Sequence, residues 1–263
     1  MDIISITICV NYDHIFKYTI EQNYKFFKKW LIITSPDDFK TINLINKLKL
    51  PNIKLLFFNN FFTYAKFNKG GAILFCQKYI EENYKNSNIL LLDADIYLPN
   101  NFLNQLPKKL EDDTLYGSSE RFDFLKLDDF LNNNNSHKFN CYFGGFFQLY
   151  KQCSYKYKNS YNCSRCDDIF KNLFKNKIKL DITIKHLGKD KNIYYNFDDV
   201  NNINDKDNIE NINDIDNIDN IDNIDNIDNM NIENINIENI NIVNNKINTN
   251  INFIINKRIL FNR

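Results

Sequence analysis

The sequence predicts an α/β fold, a Rossmann-type mixed sheet with helices on both faces. Over the first 95 residues, short apolar runs alternate with segments of helical periodicity. This alternation indicates parallel strands joined by right-handed crossovers. The predicted strands are apolar at consecutive positions, as is typical of sheets that helices cover on both sides. The chain has 263 residues, of which 43% are hydrophobic, so it can form one domain with a large core.

The first half of the chain contains four predicted strands and three predicted helices. The strands are short apolar or β-branched runs, at residues 3–10, 30–34, 53–58 and 89–92. The helices lie between them and show apolar repeats at helical spacing. They span residues 14–29, with Asp13 as a candidate N-cap, residues 37–48, and a third segment that Gly70 and Gly71 open.

Beyond residue 95 the alternation becomes less regular. The pattern still predicts two helices, at residues 99–106 and 166–174. It also predicts strands near residues 114–117, at 143–150 and at 178–184. Residues 126–141, which include a run of asparagines, are predicted to form a polar loop.

The composition changes sharply near residue 200. All glycines and prolines precede residue 190, and the triplet Ile-Asp-Asn recurs from Ile215 to Asn229. A period of three fits neither an α-helix nor an alternating strand, so we predict a low-complexity, disordered insertion. The predicted organisation is a domain over residues 1–198, the insertion over 199–250, and a segment over 251–263 with the potential to dock back on the domain.

Charge and hydropathy exclude several classes of protein. The net charge is zero overall, but it is +6 for residues 1–200, −9 for 201–250 and +3 for 251–263. No polybasic cluster occurs, so we expect no nucleic-acid partner. No run of 18 apolar residues occurs and the N-terminus lacks signal-peptide features, so we expect no transmembrane segment and no export. A cytoplasmic protein, with most of its six cysteines as free thiols, is therefore expected.

A pair of carboxylates follows the fourth predicted strand. Asp93 and Asp95 come directly after four apolar residues, so they should lie at the carboxyl edge of the sheet, where open α/β sheets bind ligands. If the extended geometry persists, both side chains point the same way and their oxygens can converge on one cation. Such a site suits Mg²⁺ or Mn²⁺ bridging a diphosphate. The alternative is a strand that ends in a solvated acidic turn.

Several motifs resemble one family. ILLLDADIYLPNNF resembles the D-x-D strand and following helix of glycosyltransferases with the GT-A fold. CVNYDHI, IITSPDD, FNKGGA, YFGGFFQLY, SRCDDIF and IKHLG occur in the order seen in glycosyltransferase family 2-like proteins of viruses and phages. The resemblance covers about residues 3–190. A viral origin would place the protein in the host cytoplasm.

The resemblance implies a GT-A-like, metal-dependent enzyme. It would move a sugar from a nucleotide-sugar donor, which we expect to be a UDP-sugar, to a hydroxyl of a glycan, protein or small-molecule acceptor. The transfer would invert the anomeric centre. The implied cofactor is Mn²⁺ or Mg²⁺. The implied donor-binding residues are Thr34, Ser35, Asp37, Asn68, Lys69, Gly70, Asp93, Gly144 and Gly145.

Each donor-binding assignment has a structural alternative. Ser35 or Asp37 would serve equally as a helix cap. The Asn68–Lys69–Gly70 segment opens a helix whose N–H groups can face a phosphate or ribose, but it also suits a glycine turn with a solvated lysine. The paired glycines near residue 145 suggest either close approach to a ligand or a bulge in a core strand.

The resemblance also implies metal ligands and a catalytic base. The ligands are Asp93, Asp95 and His186, although a single histidine at a strand end is otherwise usually structural. Asp167 corresponds best to the acid that deprotonates the acceptor, with Asp168 one residue away. The alternative role for this pair is a negative charge that complements a helix dipole.

Two other functions remain open. One is a non-catalytic sugar-nucleotide-binding protein. The other is a haloacid-dehalogenase-type phosphatase, which also ends a strand in D-x-D. That motif normally lies on the first strand and has Thr or Val at the position that Tyr97 occupies here.

One departure from the glycosyltransferase pattern is the lack of a Trp after the IKHLG motif, which puts the segment covering the donor in doubt.

Overall fold

A computed structural model describes residues 1–63, 66–141, 143–159 and 163–187, with only the backbone described at residues 163 and 164. The predicted domain boundary at residue 198, the low-complexity insertion and the C-terminal segment lie outside the described residues.

One mixed sheet of nine strands organises the described part of the chain. The strands are β1 (Ile3–Ile8), β2 (Lys29–Thr34), β3 (Ile53–Phe57), β4 (Asn88–Leu92), β5 (Ile96–Tyr97), β6 (Thr114–Phe124), β7 (Ser136–Asn140), β8 (Phe147–Lys151) and β9 (Asn176–Leu187). Their order in the sheet is β3-β2-β1-β4-β8-β6-β9-β5, and β7 pairs with β6. The four strands predicted in the first half of the chain are confirmed.

Five α-helices flank the sheet within the described ranges. They are α1 (Asp13–Asn23), α2 (Phe39–Leu48), α3 (Lys69–Asn83), α4 (Leu127–Leu131) and α5 (Cys163–Lys171). The first helix is shorter than predicted, because a 3₁₀ turn over Tyr24–Phe26 leads into β2. The helix predicted at 99–106 is a 3₁₀ turn over Phe102–Gln105. Within the described ranges, no helix is both long and apolar enough to cross a lipid bilayer.

Apolar side chains pack on both faces of the sheet. Along β4, Leu90 and Leu92 belong to one cluster, while Ile89 and Leu91 belong to the other. Helices α1 and α2 cover the first cluster, and α3 and α5 cover the second. Because a strand turns successive side chains to opposite faces, a strand covered on both sides must be apolar throughout. The predicted fold class, a mixed α/β sheet with helices on both faces, is confirmed.

Parallel pairing in the first half of the sheet brings several loops together. Strand β1 pairs in parallel with β2 and β4, and β2 pairs in parallel with β3. The carboxyl ends of all four strands therefore lie along one edge of the sheet. In the second half, β8 runs antiparallel to β4, whereas β6 and β9 run parallel to each other.

The sequence analysis missed three elements of the second half. Helix α4 and strand β7 lie in the segment predicted as a polar loop, and β5 follows directly on the D-x-D turn. All five residues of β7 are exposed, so it carries no apolar alternation for a pattern to detect. It forms because it pairs with the far half of β6, which extends well beyond the predicted residues 114–117.

Two predicted helix caps are wrong. Helix α1 begins at Asp13 itself, and Tyr12 holds the N-cap position without a side-chain hydrogen bond. Helix α2 is capped by Asp38, and neither Ser35 nor Asp37 serves as its cap. The backbone after β2 turns so that the second of the two aspartates, rather than the first, faces the helix N-terminus.

The Asp38 carboxylate joins two loops at the carboxyl edge of the sheet. Its Oδ1 accepts from the Thr41 backbone N–H at 3.2 Å, and its Oδ2 accepts from the Thr34 hydroxyl at 3.0 Å. The same Oδ2 accepts from the backbone N–H of Asn11 at 2.8 Å. Asn11 has a φ of 55°, a left-handed conformation that asparagine tolerates better than most residues. Asp38 therefore ties the loop after β1 to the loop after β2.

We expect Asp38→Ala to lower the free energy of unfolding by at least about 2 kcal/mol. Loss of an N-cap costs about 0.5–2 kcal/mol, and each buried donor left without a partner costs about 1–3 kcal/mol. Urea unfolding followed by circular dichroism measures the change. Asp37→Ala is the matched control, because Asp37 is exposed and should change stability by less than about 0.5 kcal/mol. Equal losses in the two variants would contradict the linking role of Asp38.

Candidate functional site

The D-x-D segment forms a turn at the carboxyl end of β4. The Ile96 N–H donates to the Asp93 carbonyl at 3.2 Å, and the Asp93 N–H donates to the Phe146 carbonyl at 3.2 Å. The chain reverses here because β5 must pair antiparallel with β9. The expectation that extended geometry persists through Asp95 is therefore wrong. The two carboxylates take different partners.

Asp93 lies in a group of three charges with Lys69 and Asp167. The Lys69 ammonium is 3.1 Å from Asp93 Oδ1 and 3.1 Å from Asp167 Oδ2. The Lys69 and Asp167 side chains are 14% and 15% exposed, so their ion pair is shielded from water, whereas Asp93 is 37% exposed. Lys69 is the first residue of α3, where Asn68 caps the helix by accepting from the Gly71 N–H at 2.9 Å. The predicted helix opening is confirmed, and the lysine is not solvated.

The pKa values in this group show how crowded the negative charges are. Burial alone would lower the pKa of Lys69, but Asp167 and Asp93 raise it well above the ordinary value. Burial raises the pKa of Asp93. Attraction to Lys69 opposes this rise, while repulsion from Asp95 and Asp167 adds to it. A second positive charge near Asp93 would therefore be stabilising.

Asp95 pairs with His186, which lies one position before the end of β9. His186 Nε2 is 3.2 Å from Asp95 Oδ2, and the Tyr12 hydroxyl donates to the same oxygen at 3.2 Å. On the other side of the ring, His186 Nδ1 is 3.2 Å from Asp123 Oδ1. The β5–β9 and β9–β6 registers place Ile96 and Asp123 directly beside His186. The imidazole is therefore held between two carboxylates.

Electrostatics around His186 favour its charged form. Burial alone would lower its pKa, but Asp95 and Asp123 raise it to about 9. Burial alone would raise the pKa of Asp123, yet His186 and Arg121 lower it to about 2. At neutral pH, without a bound cation, His186 is thus an imidazolium between two carboxylates.

The two adjacent aspartates of α5 have different surroundings. The Asp167 side chain is 15% exposed, and its Oδ1 accepts from the Tyr157 hydroxyl at 3.0 Å. The Asp168 side chain is 64% exposed and pairs with Lys171. Helix α5 begins at Cys163, so neither aspartate lies in its first turn. The helix-dipole interpretation of this pair is wrong, because the helix starts earlier than the sequence pattern indicated.

Gly145 lies directly against the Asp167 carboxylate. A Cβ at Gly145 would sit 1.9 Å from Asp167 Cγ, so any side chain here would displace the carboxylate. Gly144 has a different neighbour, since its Cβ would meet the Phe146 ring at 2.3 Å. Gly70 contacts backbone, because its Cβ would lie 2.2 Å from the Lys158 carbonyl oxygen. Each of these glycines allows a close approach that a larger residue would prevent.

The residues after β2 differ in their availability to a ligand. Thr34 is buried and its hydroxyl is bound to Asp38. Ser35 is half-buried and Asp37 is exposed. Ser35 and Asp37 can therefore contact a ligand directly, whereas Thr34 can act only by supporting the loop.

The residues around Asp95 were tested for their fit to a divalent cation. In the described ranges, no group of three or more His, Cys, Asp or Glu side chains is already arranged to hold a metal ion. Asp95 Oδ1, however, is buried and has no hydrogen-bond partner in that part of the chain. Three cationic groups face four carboxylates in the ion-paired cluster: Lys69, Arg121 and the His186 imidazolium against Asp93, Asp95, Asp123 and Asp167. An orphaned carboxylate oxygen, an imidazole and excess negative charge fit a divalent cation.

The sequence analysis missed several residues of this site. Asp123 and Arg121 lie two apart on β6, so their side chains share a face of the strand, and this spacing was an available signal. Tyr12 and Tyr157 had no such signal. Tyr12 follows β1 and Tyr157 precedes α5. Only the folded chain brings Tyr12 to Asp95 and Tyr157 to Asp167.

Comparisons with known proteins reveal similarity to solved structures only. No family model matches the chain, and no curated protein matches it. The galactosyltransferase LgtC, in complex with donor and acceptor sugar analogues, is 13% identical with a TM-score of 0.38, covering 65% of this chain and 66% of its own. An active-site mutant of LgtC is 12% identical with a TM-score of 0.33, covering 44% of this chain and 45% of its own.

A nucleotidyltransferase is also similar in structure. It is a putative glucose-1-phosphate thymidylyltransferase from Bacillus anthracis, 11% identical with a TM-score of 0.43, covering 77% of this chain and 96% of its own. The chain spans less than two thirds of the length of the two LgtC structures. The side chains at the edge of the sheet, rather than these similarities, indicate what the protein can do.

Proposed function

We propose that the protein is a metal-dependent glycosyltransferase that moves a sugar from a UDP-sugar to an acceptor hydroxyl, with inversion. The observation that carries the proposal is the division of the acidic cluster into two parts. Asp95 and His186 form a place for a cation, while Asp167 stands apart and is joined to Asp93 through Lys69. Glycosyl transfer needs both parts, one to stabilise a leaving diphosphate and one to accept a proton.

The donor would lie along the carboxyl ends of the parallel strands, where open α/β sheets bind nucleotides. Ser35 and Asp37 are accessible after β2, and we assign them to the ribose and base. Thr34 supports this loop through Asp38. Lys69 lies at the N-terminus of α3, where the positive end of the helix dipole favours a diphosphate. Asn68 and Gly70 would act through the backbone of that turn.

Asp95 and His186 would hold the cation, with Asp93 beside them. A divalent cation bound there would neutralise the negative charge that develops on the leaving diphosphate. The unpartnered Oδ1 of Asp95 supports this assignment, because a buried carboxylate oxygen without a partner is costly unless a ligand completes it.

Asp167 would be the general base. Each carboxylate oxygen has two lone pairs, so Asp167 can still accept a proton while Lys69 and Tyr157 hold it in place. The acceptor hydroxyl gives its proton to Asp167, and its oxygen forms a bond to the anomeric carbon. The bond from that carbon to the diphosphate oxygen breaks at the same time, and the leaving diphosphate keeps the electron pair.

The first test of this function is hydrolysis of UDP-sugars in the absence of an acceptor, measured with and without Mn²⁺. An enzyme should release UDP only when the metal is present. Donor binding without any turnover, with or without candidate acceptors, would indicate a sugar-nucleotide-binding protein instead.

We expect Asp95→Asn to weaken Mn²⁺ binding by more than about 100-fold. Replacing residues that only orient metal ligands costs about 10–100-fold in affinity, and removing a charged ligand should cost more. Electron paramagnetic resonance of free Mn²⁺ measures the binding. Asp112→Asn is the matched control, since Asp112 is an 82% exposed aspartate paired with Lys151. Unchanged Mn²⁺ affinity in Asp95→Asn would refute the metal assignment.

We expect Asp167→Asn to slow transfer by about 10²–10⁴-fold, the usual contribution of a general base. Donor affinity should change far less than the rate, because asparagine keeps an oxygen that can accept from Lys69, and the other proposed donor contacts come from other elements. Asp168→Asn is the control, and it should retain nearly normal rates because Asp168 faces solvent and pairs with Lys171. Near-normal transfer in the Asp167 variant would place the base elsewhere.

We expect Gly145→Ala to slow transfer by about 10²-fold without affecting Mn²⁺ binding. The new Cβ would overlap the Asp167 carboxylate, and displacement of a catalytic group by about 1 Å can cost this much. Parallel measurement of transfer rate and Mn²⁺ affinity tests the separation. A variant with full transfer activity would show that the contact with Gly145 does not position Asp167.

A further inference from the structure

We infer that Asp123, held by Arg121, is a positioning residue that orients the imidazole of His186 so that Nε2 faces Asp95 and the cation. This inference rests on the proposed function, because it concerns a ligand of the proposed metal site. Asp123 was not among the candidate residues of the sequence analysis, and the chemistry proposed above does not use it.

Three neighbouring strands bring the three side chains together. Strand β9 carries His186 and lies between β5, which follows Asp95, and β6, which carries Asp123. His186 Nδ1 is 3.2 Å from Asp123 Oδ1, and Nε2 is 3.2 Å from Asp95 Oδ2. The ring therefore spans the gap between the carboxylates of Asp123 and Asp95. Of these two residues, Asp95 belongs to the D-x-D turn.

Arg121 holds the carboxylate of Asp123 in place. Arg121 Nε donates to Asp123 Oδ1 at 2.5 Å, and a terminal nitrogen of Arg121 donates to Oδ2 at 2.9 Å. The Asp123 side chain is 1% exposed and that of Arg121 is 18% exposed, so water competes little for these bonds. Such two-pronged guanidinium–carboxylate pairs are geometrically specific. Asp123 can therefore impose an orientation on the ring beside it.

Arg121 is itself linked to the turn that carries the acids. Its guanidinium lies 4.5 Å from the centre of the Phe146 ring, a distance at which a cation is attracted to an aromatic face. The Phe146 carbonyl accepts the hydrogen bond from the Asp93 N–H. Asp123, Arg121 and Phe146 thus form one connected support that reaches from His186 to the D-x-D turn.

The chemistry of a carboxylate determines which ring nitrogen binds a cation. A carboxylate only accepts hydrogen bonds, so the imidazole nitrogen that faces Asp123 carries a hydrogen. Nε2 faces the carboxylate of Asp95, where the cation would bind. With a cation there, Nδ1–H would stay directed to Asp123, and the lone pair of Nε2 would be the one directed at the metal ion. Histidine ligands in metal sites commonly use a carboxylate in this way to set ring orientation and tautomer.

Asp123→Asn tests the inference, because an asparagine fills the same space but can donate a hydrogen bond to Nδ1. This donation would favour the tautomer with hydrogen on Nε2. We expect Mn²⁺ affinity, measured by electron paramagnetic resonance, to fall by about 10–100-fold. Asp112→Asn should bind Mn²⁺ as the unmodified chain does.

Nitrogen-15 spectra of the histidine rings, recorded with Mg²⁺, should show the hydrogen of His186 on Nδ1 in the unmodified chain. The chain has three histidines, and the signals that disappear in His186→Gln are those of His186.

Each outcome separates this inference from the proposed function. Weaker Mn²⁺ binding together with a changed tautomer in Asp123→Asn supports the inference. Full Mn²⁺ affinity in a folded Asp123→Asn variant overturns it and leaves the metal site intact. Absence of Mn²⁺ binding by the unmodified chain overturns both. If Asp123→Asn does not fold, the same titration with Asp123→Glu and Arg121→Gln decides, and unchanged affinity in both variants overturns the positioning role.

Discussion

Four carboxylates converge at one edge of a buried sheet, and their mutual repulsion is the constraint that the rest of the site must satisfy. Lys69 lies between Asp93 and Asp167, and Arg121 grips Asp123. The remaining acid, Asp95, has only the protonated ring of His186 and a tyrosine hydroxyl on one oxygen, while its other oxygen has no partner among the described residues. The uncompensated negative charge is therefore concentrated at Asp95, which is where a divalent cation would be most stabilising.

The backbone places these charges through close approaches and shared loops. Gly145 lets β8 begin against the Asp167 carboxylate, and Gly70 lets α3 start against the carbonyl of Lys158. The loop after β1 is held to the loop after β2 by Asp38. These contacts tie the loops and helix ends at the carboxyl edge to the strands of the sheet. The separation of Asp95 and His186 from Asp167 follows from that placement.

Much of the sheet and part of the site were predictable from the sequence. The four parallel strands were detectable because burial on both faces demands continuous apolar runs. Strand β7 was not, because it is fully exposed and forms through pairing with β6. The acids Asp93 and Asp95 were identified from their position after a buried strand, but their common orientation was predicted wrongly, since the chain turns there to make β5. Asp123 was overlooked, although Arg121 stands two positions before it.

The sequence by itself determined the α/β architecture and the presence of acids at the carboxyl edge, because both depend on local hydrophobic pattern and on short-range order along the chain. Tertiary structure alone decided which acid meets which partner. Asp95 reaches His186 across 91 positions and Lys69 reaches Asp167 across 98, distances along the chain over which no local pattern carries information. The pairing of β5 and β6 with β9, and the packing of α3 beside α5, create these contacts. Charges separated in sequence interact strongly only when folding brings them within a few ångströms and removes the water between them.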